Sequence, residues 1–295
     1  MSVIEGEALQ FRTSAAVRIG RRSALSIALV SAIGLIAFLW PLFAPPDSAI
    51  IAHAGDAPWL FAAVVPLVLV VVLAQLADRD MDAKSIALLG VLAAVIAILR
   101  PLGTGIAGIE PMWVVLILAG RALGPGFGFA LGSISILASA LLTGGVGPWL
   151  PFQMLGAAWV GMGAGLLPRG LRGVREILVL CAYAALATIT YGFLLNLWFW
   201  PFALSLPAQI AFVPGAEFAE NLAAWWRFNL LTSLGFDIPR ATLTVILIAV
   251  AGRPILVALR RVSRIAAFDV PVRFEGTTMP SRSRTISSRS STMGS

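Results

Sequence analysis

The chain has too little charge to cover a water-soluble surface. Of its 295 residues, 12% are charged and 59% are hydrophobic. An ordinary soluble domain is about one quarter charged and about half apolar. The sequence therefore excludes a soluble globular protein and predicts a protein that lies in a bilayer.

Residue types that perform chemistry are also scarce. The chain has one cysteine, Cys181, and one histidine, His53, which excludes an internal disulfide and a thiolate metal site. Neither a Gly-x-x-x-x-Gly-Lys-Ser/Thr phosphate loop nor a Gly-x-Ser-x-Gly elbow is present. The predicted helix centres lack the charged relays of ion-coupled transporters. We therefore predict no enzymatic activity, no cofactor, no metal and no energy source within this chain.

Long apolar runs fill most of the sequence, and each approaches the roughly 20 residues that a membrane-spanning helix needs. We predict an all-α, polytopic membrane bundle of about eight helices, at residues 23–43, 59–77, 85–102, 110–122, 125–143, 150–167, 176–202 and 237–260. The fourth is short and is predicted to be tilted, broken or partly re-entrant. The amphipathic segment Ala216–Thr232 is predicted to lie in the membrane interface, with its apolar side down.

The basic residues fall on one side of this topology. With the amino terminus in the cytoplasm, all 21 Lys and Arg residues except Arg100, Arg227 and Arg240 are cytoplasmic. Cytoplasmic loops carry such an excess. We therefore predict a multi-pass protein of the plasma membrane with both termini in the cytoplasm. The net charge of +7 is interpreted as topology rather than as a surface for nucleic acid.

Small residues form a stripe on the third predicted helix. Their spacing of three and four places them on one face: Ala83, Ala87, Gly90, Ala94 and Ala97. Helices associate in lipid through close backbone contact. The stripe is predicted either to pack inside this chain or to dock a second protein, and spacing leaves both open. Glycine and alanine stripes at 120–132 and 157–165 are interpreted as internal packing.

Tryptophans and a few polar residues gather on the predicted outer side. All nine tryptophans except Trp159 map there, whereas an ordinary aromatic belt occupies both interfaces. This favours an outward-facing pocket for a planar or partly apolar solute; anchoring in lipid is the alternative. The candidate substrate contacts are Arg100, Glu110, Trp149, Gln153, Asn196 and Trp198. Arg100 and Glu110 have the alternative of pairing with each other or meeting water.

The stretch from Ser85 to Pro168 resembles a known family. A small-residue helix is followed by Arg100-Pro-Leu-Gly, by Leu123-Gly-Pro-Gly-Phe-Gly-Phe-Ala-Leu-Gly and by Gly145-Val-Gly-Pro-Trp-Leu-Pro-Phe-Gln-Met. This pattern is similar to that of the substrate-capture S component of energy-coupling factor (ECF) type ABC transporters.

The resemblance implies a six-helix unit that captures a vitamin or similar micronutrient from outside. It implies as partners a transmembrane coupling subunit and two cytoplasmic ATPase subunits. The family's Ala-x-x-x-Ala docking signature would fall on Ala83 and Ala87, or on Ala93 and Ala97. The organisation expected is a cytoplasmic segment (1–22), two additional transmembrane helices (23–77), the six-helix core (83–262) and a cytoplasmic, disordered tail (263–295).

The predicted function is the substrate-specific capture subunit of an ATP-driven micronutrient uptake transporter in contact with membrane lipid. One alternative is a stand-alone secondary permease or facilitator, which predicts a buried coupling charge and uptake without ATPases. Another is a structural or assembly protein with no enclosed cavity and no solute. Riboflavin, cobalamin, biotin, pantothenate and a queuosine precursor all remain open as substrates; few charges argue against a bare metal ion.

Overall fold

Helices account for all the regular secondary structure in the computed structural model, which describes residues 21–43, 83–103, 108–203 and 205–266. The all-α prediction is confirmed for these residues. The α-helices are α1 (Arg21–Phe43), α2 (Ala83–Leu99), α3 (Met112–Leu123), α4 (Pro125–Thr143), α5 (Leu150–Leu166), α6 (Gly173–Phe199), α7 (Phe218–Thr232) and α8 (Leu234–Ala266). Short 3₁₀ turns, Pro101–Gly103 and Trp200–Phe202, follow α2 and α6. The helix predicted at 59–77 and most of the tail predicted at 263–295 lie outside the described residues.

Among the described residues, five helical segments are long and apolar enough to cross a membrane. They are Ala24–Phe43, Ala83–Gly103, Pro125–Thr143, Gly173–Phe202 and Leu234–Val262. The chain is therefore a multi-pass membrane protein. The predicted short helix is α3, whose 12 residues reach only about 18 Å at 1.5 Å per residue, against a hydrocarbon core of about 30 Å. Most of its side chains are buried, so protein rather than lipid surrounds it.

Glycines allow α3, α4 and α5 to approach each other closely. A Cβ added to Gly120 on α3 would lie 2.1 Å from the carbonyl oxygen of Gly161 on α5, and one added to Gly128 on α4 would lie 2.3 Å from the same oxygen. A Cβ on Gly132 would lie 2.4 Å from the oxygen of Ala157. Real side chains do not tolerate such distances, so the two glycine stripes pack inside the chain, as predicted.

A tight reversal joins α3 to α4. Gly124 has a φ of 107°, a conformation that glycine adopts without steric cost. Pro125 then occupies the first turn of α4, where its missing N–H needs no partner. The Gly-Pro turn therefore brings the end of the short helix directly to the start of a long one.

α1 and α2 flank the bundle at different places. α2 packs mainly against α4, whereas α1 contacts α5, α6 and α7. Phe38 of α1 makes an edge-to-face contact with Phe152, with 4.9 Å between ring centroids. The indole N–H of Trp159 donates to the hydroxyl of Ser31 at 2.9 Å. The first additional helix is thus an integral part of the packing.

α7 is the short helix that the sequence predicts within Ala216–Thr232, and its orientation in the membrane interface stays a prediction. Asn221 and Asn229 are buried, whereas Leu222, Trp226 and Leu230 are exposed. The Asn221 side chain donates to the carbonyl of Val213 and accepts from its N–H, at 2.9 and 3.2 Å. Because these amides are hydrogen-bonded within the protein, the apolar side is left outward.

The bundle has two ends that differ in chemistry. The clamp end is where Arg121, Glu176 and Arg260 form ion pairs. The cavity end is where Asn196 and Asp237, with residues around them, line a cavity. The helices connect these ends, and α7 lies at the cavity end beside the start of α8.

Candidate functional site

A cavity of about 500 Å³ lies at the cavity end, between α6, α7, the start of α8 and the loop after α6. Sites for small molecules typically measure about 300–1,000 Å³. Its apolar lining consists of Gly192, Leu195, Phe199, Ala203, Leu206, Phe228 and Phe236. Its polar lining consists of Asn196, Thr232, Ser233, Asp237 and Arg240. An apolar cavity with a few convergent polar groups is the arrangement of a small-molecule site.

A network of charged side chains at the start of α8 borders the cavity through Asp237 and Arg240. Asp237 and Arg240 are three residues apart and so share a helix face. The Arg240 Nη1 donates to Asp237 Oδ1 at 2.6 Å, and its Nε donates to Glu110 Oε2 at 3.0 Å. The indole N–H of Trp113 donates to the same Glu110 oxygen at 2.6 Å. The guanidinium also lies over the ring of Tyr191, 5.6 Å from its centroid.

Two glycines make room for this network of charged side chains. A Cβ on Gly192 would lie 2.0 Å from Oδ1 and 2.6 Å from Oδ2 of Asp237, so the carboxylate rests directly against the α6 backbone. A Cβ on Gly108 would lie 2.1 Å from the carbonyl oxygen of Phe236. That close approach holds the start of α3 against the start of α8 and brings Glu110 to Arg240.

Asn196 is the predicted candidate that lines the cavity. Its Nδ2 donates to Asn229 Oδ1 at 2.7 Å and also to the hydroxyl of Ser233. Asn229 in turn donates to the carbonyl of Trp225 at 2.8 Å. These bonds link α6 to α7 and to the start of α8, so the amide joins the three walls of the cavity.

Arg100 and Gln153 belong to a separate polar cluster. The Arg100 Nη2 donates to Gln153 Oε1 at 2.8 Å, and Nη1 lies 3.4 Å from the hydroxyl of Ser139. Arg100 and Glu110 therefore do not pair with each other, because each has found a different partner. Neither Arg100 nor Gln153 lines the cavity.

The two candidate tryptophans also lie away from the cavity. Trp149 is 40% exposed, and its indole N–H donates to the carbonyl of Gly145 at 3.2 Å. Trp198 is buried among other rings, 5.5 Å from Phe152 and 6.0 Å from Phe202 between centroids. The aromatic wall of the cavity is made by phenylalanines instead, namely Phe199, Phe228 and Phe236.

The small-residue stripe of α2 is divided between two environments. Ala97 is buried within the chain, and so is Ala93 of the alternative docking signature. The other members are exposed in the described part of the protein: Ala83, Ala87, Gly90 and Ala94. A Cβ added to Gly90 would meet nothing within 4 Å. One part of the stripe therefore packs internally, and the other part is exposed in the described protein.

The clamp end contains a buried carboxylate between two arginines. Glu176 is 3% exposed. It accepts from Arg121 Nε at 2.6 Å and from two nitrogens of Arg260 at 2.5 and 3.0 Å. The remaining nitrogens of Arg121 donate to the carbonyls of Leu167 and Pro168 at 2.8 and 3.0 Å. This cluster joins α3, α6, α8 and the end of α5.

Sequence reasoning missed Asp237, Arg240 and the clamp. An Asp and an Arg three residues apart within an apolar run is a signal that could have found the first pair. The clamp gives no such signal, because Arg121 and Glu176 are 55 residues apart. Among the described residues, no group of three or more His, Cys, Asp or Glu could hold a metal ion.

Comparison with known proteins identifies the family. The model of the family described as "ECF transporter, substrate-specific component" matches residues 84–252. The search of curated proteins and that of solved structures gave no significant match. The matched region runs from the start of α2 into α8 and covers more than half of the chain. The chain therefore belongs to the family of substrate-specific components of ECF transporters.

Proposed function

We propose that this protein captures a small, vitamin-like solute in the cavity between α6, α7 and α8. The observation that carries the proposal is the lining of that cavity. Phenylalanine side chains supply apolar area, while Asn196, Asp237 and Arg240 supply polar groups held in place by other side chains. Polar groups that other side chains already hold in place bind a solute without a further loss of conformational entropy.

The cavity end faces the outside in this proposal, and the clamp end faces the cytoplasm. Basic residues support the orientation, since the loop before α6, the first turn of α6 and the second half of α8 carry many of them. They are Arg169, Arg172, Arg175, Arg253, Arg260 and Arg261. An excess of Arg in short loops is retained on the cytoplasmic side. Both termini are cytoplasmic in this topology.

Energy comes from partners in this proposal, a transmembrane coupling subunit and two cytoplasmic ATPase subunits. The exposed part of the α2 stripe, with Ala83 and Ala87 at its start, is the proposed docking surface. Its small side chains allow another backbone to approach closely. The alternative pair, Ala93 and Ala97, is buried and so is not offered to a partner. α1 packs elsewhere, on α5, α6 and α7.

One observation favours the second candidate, a stand-alone secondary permease. Asp237 and Arg240 are buried charges within a membrane-spanning segment, and coupled permeases use such charges as relays. The two functions differ in their need for ATPases. A permease transports when it is the sole protein in a liposome, whereas a capture subunit binds its solute but needs its partners for uptake.

The test is to express the chain alone in a host without coupling and ATPase subunits, purify it in detergent and identify copurifying small molecules by mass spectrometry. We expect a stoichiometric solute in the wild type and at least about tenfold less in Asn196→Ala, which removes a cavity amide. The matched control is Asn221→Ala, because that buried amide bonds the backbone of Val213 outside the cavity. Uptake by the chain alone in liposomes would replace this proposal with the permease.

A further inference from the structure

Resting on the proposed function, we infer that the ligand presents a hydrogen-bond-donating nitrogen to Asp237 and carries it on a flat, largely apolar ring. The nitrogen is either a protonated amine or amidine, or a neutral ring or amide N–H. Ligands whose only polar group is an anion are excluded from this subsite. The inference rests on four features of the cavity: an unpartnered carboxylate oxygen, the orientation of Asn196, the local charge and the aromatic wall.

The first feature is Oδ2 of Asp237. The residue is 1% exposed, and no donor among the described residues meets this oxygen in hydrogen-bonding geometry, although the Ser233 hydroxyl lies near the carboxylate. Its other oxygen accepts from Arg240 at 2.6 Å. A buried carboxylate oxygen without a donor is costly, so native structures rarely leave one. A ligand that brings an N–H group to the cavity would supply the missing donor.

The second feature is the Asn196 amide beside it. Both of the bonds made by its Nδ2 are directed within the protein, to Asn229 and Ser233. No described residue donates to its Oδ1, and Asn196 lines the cavity. An amide whose donors are occupied offers its carbonyl oxygen. Asn196 and Asp237 therefore both contribute acceptors to the cavity.

The third feature is the balance of charge around Arg240. Its guanidinium contacts the carboxylates of Asp237 and Glu110, so two negative groups surround one positive group. Two of its nitrogens already donate to them, at 2.6 and 3.0 Å. The resulting excess of negative charge attracts a cation or the positive end of an N–H dipole and repels an anion.

The fourth feature is the aromatic part of the cavity lining. Phe199, Phe228 and Phe236 line a cavity of about 500 Å³. Aromatic side chains favour offset or edge contacts with other rings and also attract cations to their faces. A flat ring bearing a nitrogen donor therefore matches both the aromatic and the acceptor groups of the lining.

Three fragments of nearly equal shape test the inference: benzamidine, a cation with N–H donors; benzamide, neutral with N–H donors; and benzoate, an anion with none. Binding to the purified full-length chain in detergent is measured by ligand-observed nuclear magnetic resonance. We expect affinities in the order benzamidine, benzamide, benzoate, with the first at least about tenfold tighter than the last. Equal affinity for benzamidine and benzamide would assign the neutral N–H class. Preference for benzoate, or no binding of either donor, would overturn the inference.

Variants locate the contact. We expect Asp237→Asn to weaken benzamidine by at least about tenfold. Gly192→Ala should have the same direction of effect, because its Cβ would displace the carboxylate without removing it. Glu110→Gln should weaken binding less, since it removes the other carboxylate from Arg240 and leaves Asp237 in place. Glu220→Gln, on the exposed side of α7, is the control for loss of charge and should bind as wild type. Unchanged binding in both Asp237→Asn and Gly192→Ala would overturn the inference.

The outcomes separate this inference from the proposed function. If a solute copurifies with the chain and is an acid without an N–H donor, capture stands and the inference fails. If neither a solute copurifies nor any fragment binds, both fail.

Discussion

Both ends of the bundle contain ion pairs between carboxylates and arginines, but the ratio of carboxylates to arginines is opposite. At the clamp end one carboxylate, Glu176, lies between two arginines, and the nitrogens of Arg121 that it does not use donate to backbone carbonyls. At the cavity end two carboxylates surround Arg240, and Oδ2 of Asp237 remains without a donor among the described residues. The charged groups of the clamp end have partners within the protein, whereas the cavity end keeps the carboxylate oxygen on which the proposed ligand contact rests.

The helices are also packed more closely at the clamp end than at the cavity end. Near the clamp end the backbones of α3, α4 and α5 meet at Gly120, Gly128 and Gly161, with no room for a methyl group. Near the cavity end α6, α7 and α8 leave about 500 Å³. The closely packed end has satisfied ion pairs, and the looser end contains the proposed solute site. We therefore expect the clamp end to contribute most to stability and the cavity end to contribute most to the proposed binding of solute.

The largest expected effect is the loss of the clamp carboxylate. Glu176→Gln leaves Arg121 and Arg260 together without an opposing charge, and Arg121 is almost fully buried. Breaking a buried pair by removing one partner costs about 3–5 kcal/mol. We expect a correspondingly lower thermal unfolding midpoint of the purified protein in detergent.

Asp237→Asn is the matched variant at the cavity end. Arg240 keeps its contact with Glu110, and the substitution removes a carboxylate that is itself incompletely satisfied. We therefore expect a stability loss of no more than about 1–2 kcal/mol. If Asp237→Asn destabilises the protein as much as Glu176→Gln, the division between a structural end and a binding end is wrong.

An intermediate effect, below that of Glu176→Gln, is expected from Gly161→Ala. The new methyl group would lie 2.3 Å from the carbonyl oxygen of Gly128, so α4 and α5 would have to separate. Overpacking of this kind costs about 1–3 kcal/mol, measured as the shift in the unfolding midpoint.

Two other glycines provide the contrast. Gly90→Ala, in the middle of α2, meets no atom within 4 Å and is expected to be neutral or to stabilise the helix by up to about 1 kcal/mol. Gly192→Ala meets a side-chain carboxylate rather than backbone, so it is expected to change ligand binding more than stability. A larger loss of stability for Gly192→Ala than for Gly161→Ala would contradict the comparison.

The sequence predicts the closely packed end better than the cavity end. The predicted bounds of α4, 125–143, agree with the structure, and those of α5 differ by one residue, because Gly-Pro turns mark them. The start of α8 was predicted at 237, whereas the helix begins at Leu234. Asp237, Pro239 and Arg240 suggest a water-exposed helix start, yet tertiary contacts with α3 and α6 bury both charges.

The candidate site shows the same limit. Asn196 was predictable because an amide within an apolar run needs a partner or a cavity. Which partner it has depends on Asn229 and Ser233, which are 33 and 37 residues away. Gln153 looks equivalent in the sequence, but its partner is Arg100 outside the cavity. The sequence identifies buried polar residues that need a hydrogen-bond partner, but it does not identify the partner.

The smallest expected effect on the isolated chain concerns α2, whose first turns lie at the clamp end. Ala87→Leu places a bulky side chain on the exposed part of the stripe. We expect unchanged stability and solute binding, with at least about tenfold weaker assembly with the coupling subunit, because close backbone approach is lost. Assembly is measured by copurification of the complete transporter from cells that express all its subunits.

Ala182→Leu provides the matched control, since Ala182 is an exposed alanine on a different membrane helix, α6. It adds the same apolar bulk without altering α2, so assembly should be retained. Equal loss in both variants would mean that added bulk, rather than the α2 surface, disrupts the complex. If Ala87→Leu instead lowers the unfolding midpoint of the isolated chain, this face packs inside the protein. The face of α2 that contains Ala87 would then be part of the packed bundle, and the docking surface would lie on another helix.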